Sequence, residues 1–267
     1  MIQSIVDLHR YPILDTQAGG GRSVVEACHR QFRETGLCML PGFLQPEALS
    51  TMVGEAQRLS GEAHITEQYR GSDTSTDPRA THAKFGAVAY DRLADDSLLR
   101  ALYEWDGLTS LVEAIVNQPL NRTSDPLVSC TLSYFSQGDE LGWHYDSNEA
   151  TVSLLLQAAD EGGAFEFVPR TRGHGVDAKE REQAVLDGQA EHLISPDLTA
   201  GTLSIFNGNQ ALHRVSPNTG KRQRIVALLN YAAEADYVFN EQVHMRFFGR
   251  TSPSMRLFNS VSFVNKC

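Results

Sequence analysis

From about residue 127 the chain is cut into short runs rich in β-branched and aromatic residues, at 127–135, 151–157, 164–168, 202–206, 211–216 and 223–231, separated by Gly, Pro and Asp turn signals. Repeated short strands punctuated this way predict a sandwich or barrel. One helix interrupts them, from Asp177 as N-cap to Gly188 as C-cap, after a polar loop at 169–176. Its Lys and Glu residues mark it as a solvated surface helix.

Ahead of this region, residues 1–126 read as helical. Ser23 and Glu26 have the spacing of a capping box, Val24, Val25, Cys28 and Phe32 share a face, and Gly36 stands where a C-terminal cap belongs. Residues 38–44 read as a strand and turn. Pro46 then opens a second helix with Leu49, Met52, Val53 and Leu59 inward. Residues 61–93 are polar without a clear period and read as a long loop. Leu98 to Ile115 continue as helix with a break at Asp106-Gly107. The expected class is α+β with a mainly β core, a helical N-terminal layer packed on it, and one domain over 1–267.

Composition narrows the function. With 41% apolar and 21% charged residues the chain is an ordinary globular one. No stretch approaches the ~18 consecutive apolar residues of a membrane span. Val152–Ala159 comes nearest and still includes Ser153 and Gln157. A net charge of −10 argues against nucleic acid as a partner and is compatible with a small cationic ligand. Cys28, Cys38, Cys130 and Cys267 form no C-x-x-C pair and read as reduced thiols. The first ten residues lack the apolar core of a signal peptide, so a cytoplasmic location is expected.

Two imidazoles and a carboxylate carry the chemistry. His144-Tyr145-Asp146 places His and Asp two apart, the spacing at which strand side chains share a face. Nine histidines among 33 acidic residues produce roughly one such pattern by chance. On spacing alone a surface His and Asp is the favoured reading over a metal site. His213 follows far downstream, after another strand and turn, and taken singly is a core histidine. Together the three match the facial triad of non-haem Fe(II) oxygenases, which leaves three coordination positions open. Arg222 and Arg224 stand two apart on the last strand, 222–231, where they share a face, and the apolar run after them marks the strand as buried. A buried guanidinium calls for a carboxylate, either the far end of a keto-diacid that chelates the iron or an internal acidic partner.

The segments G-W-H-Y-D, G-T-L-S-I-F-N-G…L-H-R-V-S-P and G-K-R-Q-R, in this order, resemble the Fe(II)/2-oxoglutarate-dependent dioxygenases, in particular the branch that hydroxylates or halogenates free amino acids such as lysine. The segments 34–47 and 246–250 resemble that branch as well. The resemblance implies a double-stranded β-helix (jelly-roll, cupin-like) core over 127–231, with 232–267 completing the pocket. It implies His144, Asp146 and His213 as iron ligands, with Fe(II), 2-oxoglutarate and O2 as cofactor and cosubstrates. For the 2-oxoglutarate anchor it favours Arg222, two residues after Gly220, with Arg224 as the rival. Tyr134 either hydrogen-bonds 2-oxoglutarate or is an ordinary strand residue. Phe247 and Phe248 are placed over the substrate or in the core, and Arg250 against a substrate carboxylate or at the surface. Asn230, on the Arg222 and Arg224 face, and His82, in the 61–93 loop, are further pocket candidates, while Trp143 is scaffold.

Halogenating members of that branch carry Gly or Ala where this chain has Asp146, so hydroxylation of an unactivated C–H of a small polar substrate, a free amino acid, is expected, with release of succinate and CO2. The alternatives are an acyl, carrier- or peptide-tethered substrate, a non-catalytic cupin-like binding module, and a hydrolytic zinc site, which leaves the arginines no role. A homodimer is compatible with the sequence.

Overall fold

The computed structural model describes residues 1–70, 81–147, 150–172, 176–189 and 191–254. Helix α1 (Gly19–Thr35) begins four residues before Ser23, so Ser23 and Glu26 lie inside it and form no cap. Its end falls at Gly36, whose φ of 81° suits a residue without Cβ and whose amide returns to the Phe32 carbonyl. Pro46 occupies the first turn of α2 (Pro46–Leu59), where its missing N–H costs nothing. The Asp106-Gly107 break separates α3 (Leu98–Tyr103) from α4 (Asp106–Val116).

The strands are β1 (Leu37–Leu40), β2 (His64–Arg70), β3 (Thr81–Val88), β4 (Asn121–Arg122), β5 (Cys130–Phe135), β6 (Glu140–His144), β7 (Thr151–Gln157), β8 (Phe165–Val168), β9 (Leu203–Phe206), β10 (Leu212–Val215), β11 (Arg224–Leu229) and β12 (Tyr231–Ala232). Two further helices, α5 (Val176–Leu186) and α6 (Glu241–Phe248), complete the fold. One large sheet runs β1-β9-β7-β11-β5-β3-β6-β10-β8, with β2 paired to β3, and all of its pairings are antiparallel. Strand β3 feeds both halves of the curl: Gly86–Val88 pair with β5, while Ala83 and Lys84 pair with β6. The architecture is a double-stranded β-helix with helices packed on one side.

Residues 61–93 are therefore not one loop. They include the β2–β3 pair, while 71–80 lie outside the described residues. The polar composition misleads because β2 is marginal: Ile65 and Tyr69 are the exposed residues and Thr66 the buried one, the reverse of the hydropathy pattern. Backbone pairing to β3 forms this strand without an apolar face.

Period two sorts the central strands into two surfaces. Leu132, Tyr134, Leu154, Ile205, Ile225 and Ala227 face the helices and join Met52, Leu102 and Ile115 in the main core. The alternate residues, among them Ser133, Phe135, Thr151, Ser153, Ser204 and Arg224, face the interior of the curl. The Asp177–Gly188 helix is present as α5, mostly exposed, with Val185 packed against Val168 and Leu212. Cys28, Cys38 and Cys130 are buried free thiols, and Cys267 lies outside the described residues. Among the described residues no helix is long and apolar enough to cross a membrane.

Candidate metal centre

His144 on β6 and His213 on β10 are direct cross-strand partners, with ring centroids 4.1 Å apart. The next pair is Val215 with Leu141, so two residues on β10 span three on β6. This bulge carries His144 onto the face it shares with His213, a frequent use of bulges beside active sites.

Asp146 arrives by another route than the pleat. Strand β6 stops at His144, and Asp146 is held beyond it by its own amide, which donates to the Gly208 carbonyl at 3.1 Å. A Cβ on Gly208 would stand 2.1 Å from Asp146 Oδ2, so only glycine lets the carboxylate sit here. Oδ1 lies 3.5 Å from His144 Nε2 and Oδ2 lies 3.4 Å from His213 Nε2.

Both Nδ1 atoms face carbonyls of their own strands at 2.9 Å, Gly142 for His144 and Ala211 for His213. That contact assigns the proton to Nδ1 and leaves both Nε2 lone pairs converging on an anion. Three electron-pair donors within 4.8 Å of one another repel unless a cation lies between them. Cis ligands at about 2.1 Å from an octahedral ion are about 3 Å apart, so a small closure of the observed spacing suffices. His213 is 6% exposed, against 21% for His144 and 24% for Asp146, which leaves one side approachable. Among the described residues this is the one group of His, Cys, Asp or Glu with such geometry.

Two neighbours brace the centre that sequence reasoning passed over. The Thr151 hydroxyl donates to Asp146 Oδ2, and Phe206 meets the His213 ring edge-on at 4.9 Å. Thr151 and Phe206 are themselves paired between β7 and β9. The proximity of Thr151 to the motif gave no sign of this contact.

The two arginines part company. Arg224 opens β11, is 6% exposed, and lies over the Phe135 ring at 5.4 Å. Its Nη1 is buried without a hydrogen-bond partner, and no carboxylate of the described residues is within ion-pairing distance. Burial pushes the guanidinium down to about 10. Val226 and Val215, each two residues from Arg224 and His213 on the same strand faces, belong to one apolar cluster, so both polar side chains address one interior. Arg222 precedes the strand, is exposed, and gives Nε and Nη2 to the carbonyls of Ala158 and Ala159. The expectation that both share a strand face fails because β11 begins only at 224.

Several other candidates are engaged elsewhere. Tyr134 faces the helices, and its hydroxyl donates to the Ala56 carbonyl at 2.8 Å, so it is a strand residue of the core. Arg250 makes paired bonds of 2.9 and 2.6 Å to Asp91, which takes up its charge. Asn230 lies past the end of β11 and donates to the Val128 carbonyl at 2.6 Å. His82 contacts Glu140 at 2.8 Å and stacks on Tyr69 at 4.4 Å, on the face of β3 opposite Phe85. Phe247 and Phe248 pack in the interior cluster, where Phe247 meets Phe85 and Phe85 meets Phe135. Trp143 lies under the Arg214 guanidinium as scaffold.

The family model described as Halogenase D matches residues 21–246. The chain belongs to the halogenase D family. No curated protein matches it in sequence. AviO1 from Streptomyces viridochromogenes superposes with a TM-score of 0.57 at 20% identity, over 79% of this chain and 95% of that one. The epimerase SnoN of nogalamycin biosynthesis, in complex with Fe3+, alpha ketoglutarate and nogalamycin RO, gives 0.57 at 19%, over 79% and 84%. HygX from Streptomyces hygroscopicus, with nickel, 2-oxoglutarate and hygromycin B bound, gives 0.54 at 15%, over 77% and 86%. At these identities the structures contribute the fold. Halogenase D membership makes the chain an oxidoreductase enzyme, and the His–Asp–His centre offers it the donor set of a mononuclear metal ion.

Proposed function

We propose that this halogenase D family member hydroxylates an unactivated C–H of a small polar substrate, a free amino acid, with 2-oxoglutarate as cosubstrate. Iron, 2-oxoglutarate and O2 together supply the oxidising chemistry and leave succinate and CO2. His144, Asp146 and His213 hold the metal and leave three positions open. Arg224 grips the far carboxylate of 2-oxoglutarate, and the wall of Phe85, Phe135, Phe247 and Phe248 excludes water beside it.

The observation that carries this reading is Arg224: a buried cation with an unpartnered nitrogen in the same interior as the triad. An uncompensated buried charge is costly, and a dicarboxylate ligand removes the cost through charge-assisted hydrogen bonds. Asp146 supports hydroxylation over chlorination, since its anionic oxygen takes the position that a halide would need. Arg250, the candidate for a substrate carboxylate, and the pocket candidates Asn230 and His82 are bonded within the protein, so the charged ends of the substrate are met by other residues.

The test is succinate formation and O2 uptake by the iron-loaded protein across a panel of free amino acids. A member that stimulates both and returns hydroxylated supports the proposal. Turnover stimulated by none of them moves the substrate to the tethered acyl or peptide class. Loss of 2-oxoglutarate dependence would overturn the reaction itself.

A further inference from the structure

The reaction class leaves no coordination position to spare. Two imidazoles and one carboxylate oxygen would fill three of the six places on an octahedral ion and leave only three for the 2-oxo acid and O2. A carboxylate that bound through both oxygens would occupy one of these, so the enzyme has to hold Asp146 to a single bond.

Two features of the chain do this. Thr151, the first residue of β7, donates its hydroxyl to Asp146 Oδ2. Gly208, in the β9–β10 turn, accepts the Asp146 amide with its carbonyl and presents its bare Cα to the same oxygen. Oδ2, 3.4 Å from His213 Nε2, thus also carries the Thr151 hydroxyl, whereas Oδ1 is left to His144 Nε2 at 3.5 Å. A hydroxyl bonded to one carboxylate oxygen draws charge toward it and blocks rotation of the group.

We infer that Thr151 is a positioning residue that keeps Asp146 a one-oxygen ligand through Oδ1, with Gly208 giving the carboxylate room to adopt that pose. The inference rests on the iron-ligand reading of His144, Asp146 and His213. Thr151 acts through Asp146 and needs no contact with substrate.

The experiment is an anaerobic titration of Fe(II)-loaded protein with 2-oxoglutarate, followed by the visible charge-transfer absorption of the chelate, alongside a separate measurement of Fe(II) affinity without 2-oxoglutarate. Thr151→Val should weaken 2-oxoglutarate binding roughly ten- to a hundred-fold, the worth of one hydrogen bond to a charged group, while Fe(II) affinity holds or rises. Thr151→Ser, which restores the hydroxyl, should return the titration close to that of the unaltered chain. A Thr151→Val protein that binds 2-oxoglutarate as the unaltered chain does would overturn the inference, as would a parallel loss of iron and 2-oxoglutarate that serine does not rescue. If the unaltered chain gives no chelate absorption, the ligand reading itself fails, a result distinct from either.

Discussion

Among the described residues two aspartates, Asp125 and Asp146, lie against histidine, and the two sites are built to opposite ends. At the Asp125–His244 pair the carboxylate is sealed and saturated: Oδ1 accepts the amides of Leu127 and Val128, and Oδ2 accepts the amide of Phe239 and faces His244 Nε2 at 2.6 Å. Its side chain is 0% exposed. At Asp146 the carboxylate accepts one hydroxyl, is 24% exposed, and meets two imidazoles whose protons are turned away toward backbone carbonyls. The first carboxylate needs no cation and clamps α6 to the 125–128 turn, while His244 Nδ1 stays buried without a hydrogen-bond partner. The second is short of positive charge and complete only around a cation. Residue type does not separate a ligand from a core ion pair; the number of donors already supplied does.

Exchanging the two sites' properties by mutation tests this most sharply. His213→Ala should abolish Fe(II)-dependent consumption of 2-oxoglutarate while leaving stability within about 1 kcal/mol, measured by metal titration beside urea unfolding. Asp125→Ala should do the converse. It leaves a buried imidazole and three amides without their acceptor, so stability should fall by about 3–5 kcal/mol in urea unfolding, with Fe(II) affinity retained under folding conditions. If Asp125→Ala instead abolishes iron binding and spares stability, the contrast is wrong.

Arg224→Ala should weaken 2-oxoglutarate binding by about 2–5 kcal/mol, or roughly 30- to several-thousand-fold. Arg222→Ala, which removes an exposed side chain bonded to two carbonyls, should leave that affinity unchanged. Calorimetric titration of both variants decides between them. The smallest effect is in acid. Burial works to raise the Asp125 carboxyl, but His244 and the Leu127, Val128 and Phe239 amides outweigh it and hold it below its ordinary value. Its stabilisation is therefore present above the ordinary carboxylate range and lost as pH falls through the folded-state value. The stability gap between the unaltered chain and Asp125→Ala should narrow on acidification, and a gap that widens would contradict the assignment.

Much of this was legible in the chain. The run at 151–157 is a strand over those same residues, and Pro46 and Gly36 delimit helices as their backbone chemistry requires. The three metal-ligand candidates converge as the H-x-D and distant His suggested. The failures share a cause. Strands β2 and β6 were hidden because a strand paired at a margin or next to a bulge needs no alternating apolar face, and β3 because its pairing is split among β2, β5 and β6. Tyr134 and Phe135, neighbours in sequence, fall on opposite surfaces of the sheet, one bonded to a helix carbonyl and the other under Arg224.

Local order follows from the sequence alone, because caps, turns and strand lengths depend on φ, ψ and periodicity within a few residues. The H-x-D pair and the distant histidine also stand out in the sequence as candidate metal ligands, because only a few residue types carry the lone pairs a metal needs. Which arginine is buried, which carboxylate oxygen is occupied by Thr151, and why Gly208 has to be glycine were decided only by tertiary structure. Burial and free hydrogen-bonding capacity belong to a residue's neighbours, and the neighbours of Asp146 and Arg224 come from strands brought alongside by sheet register.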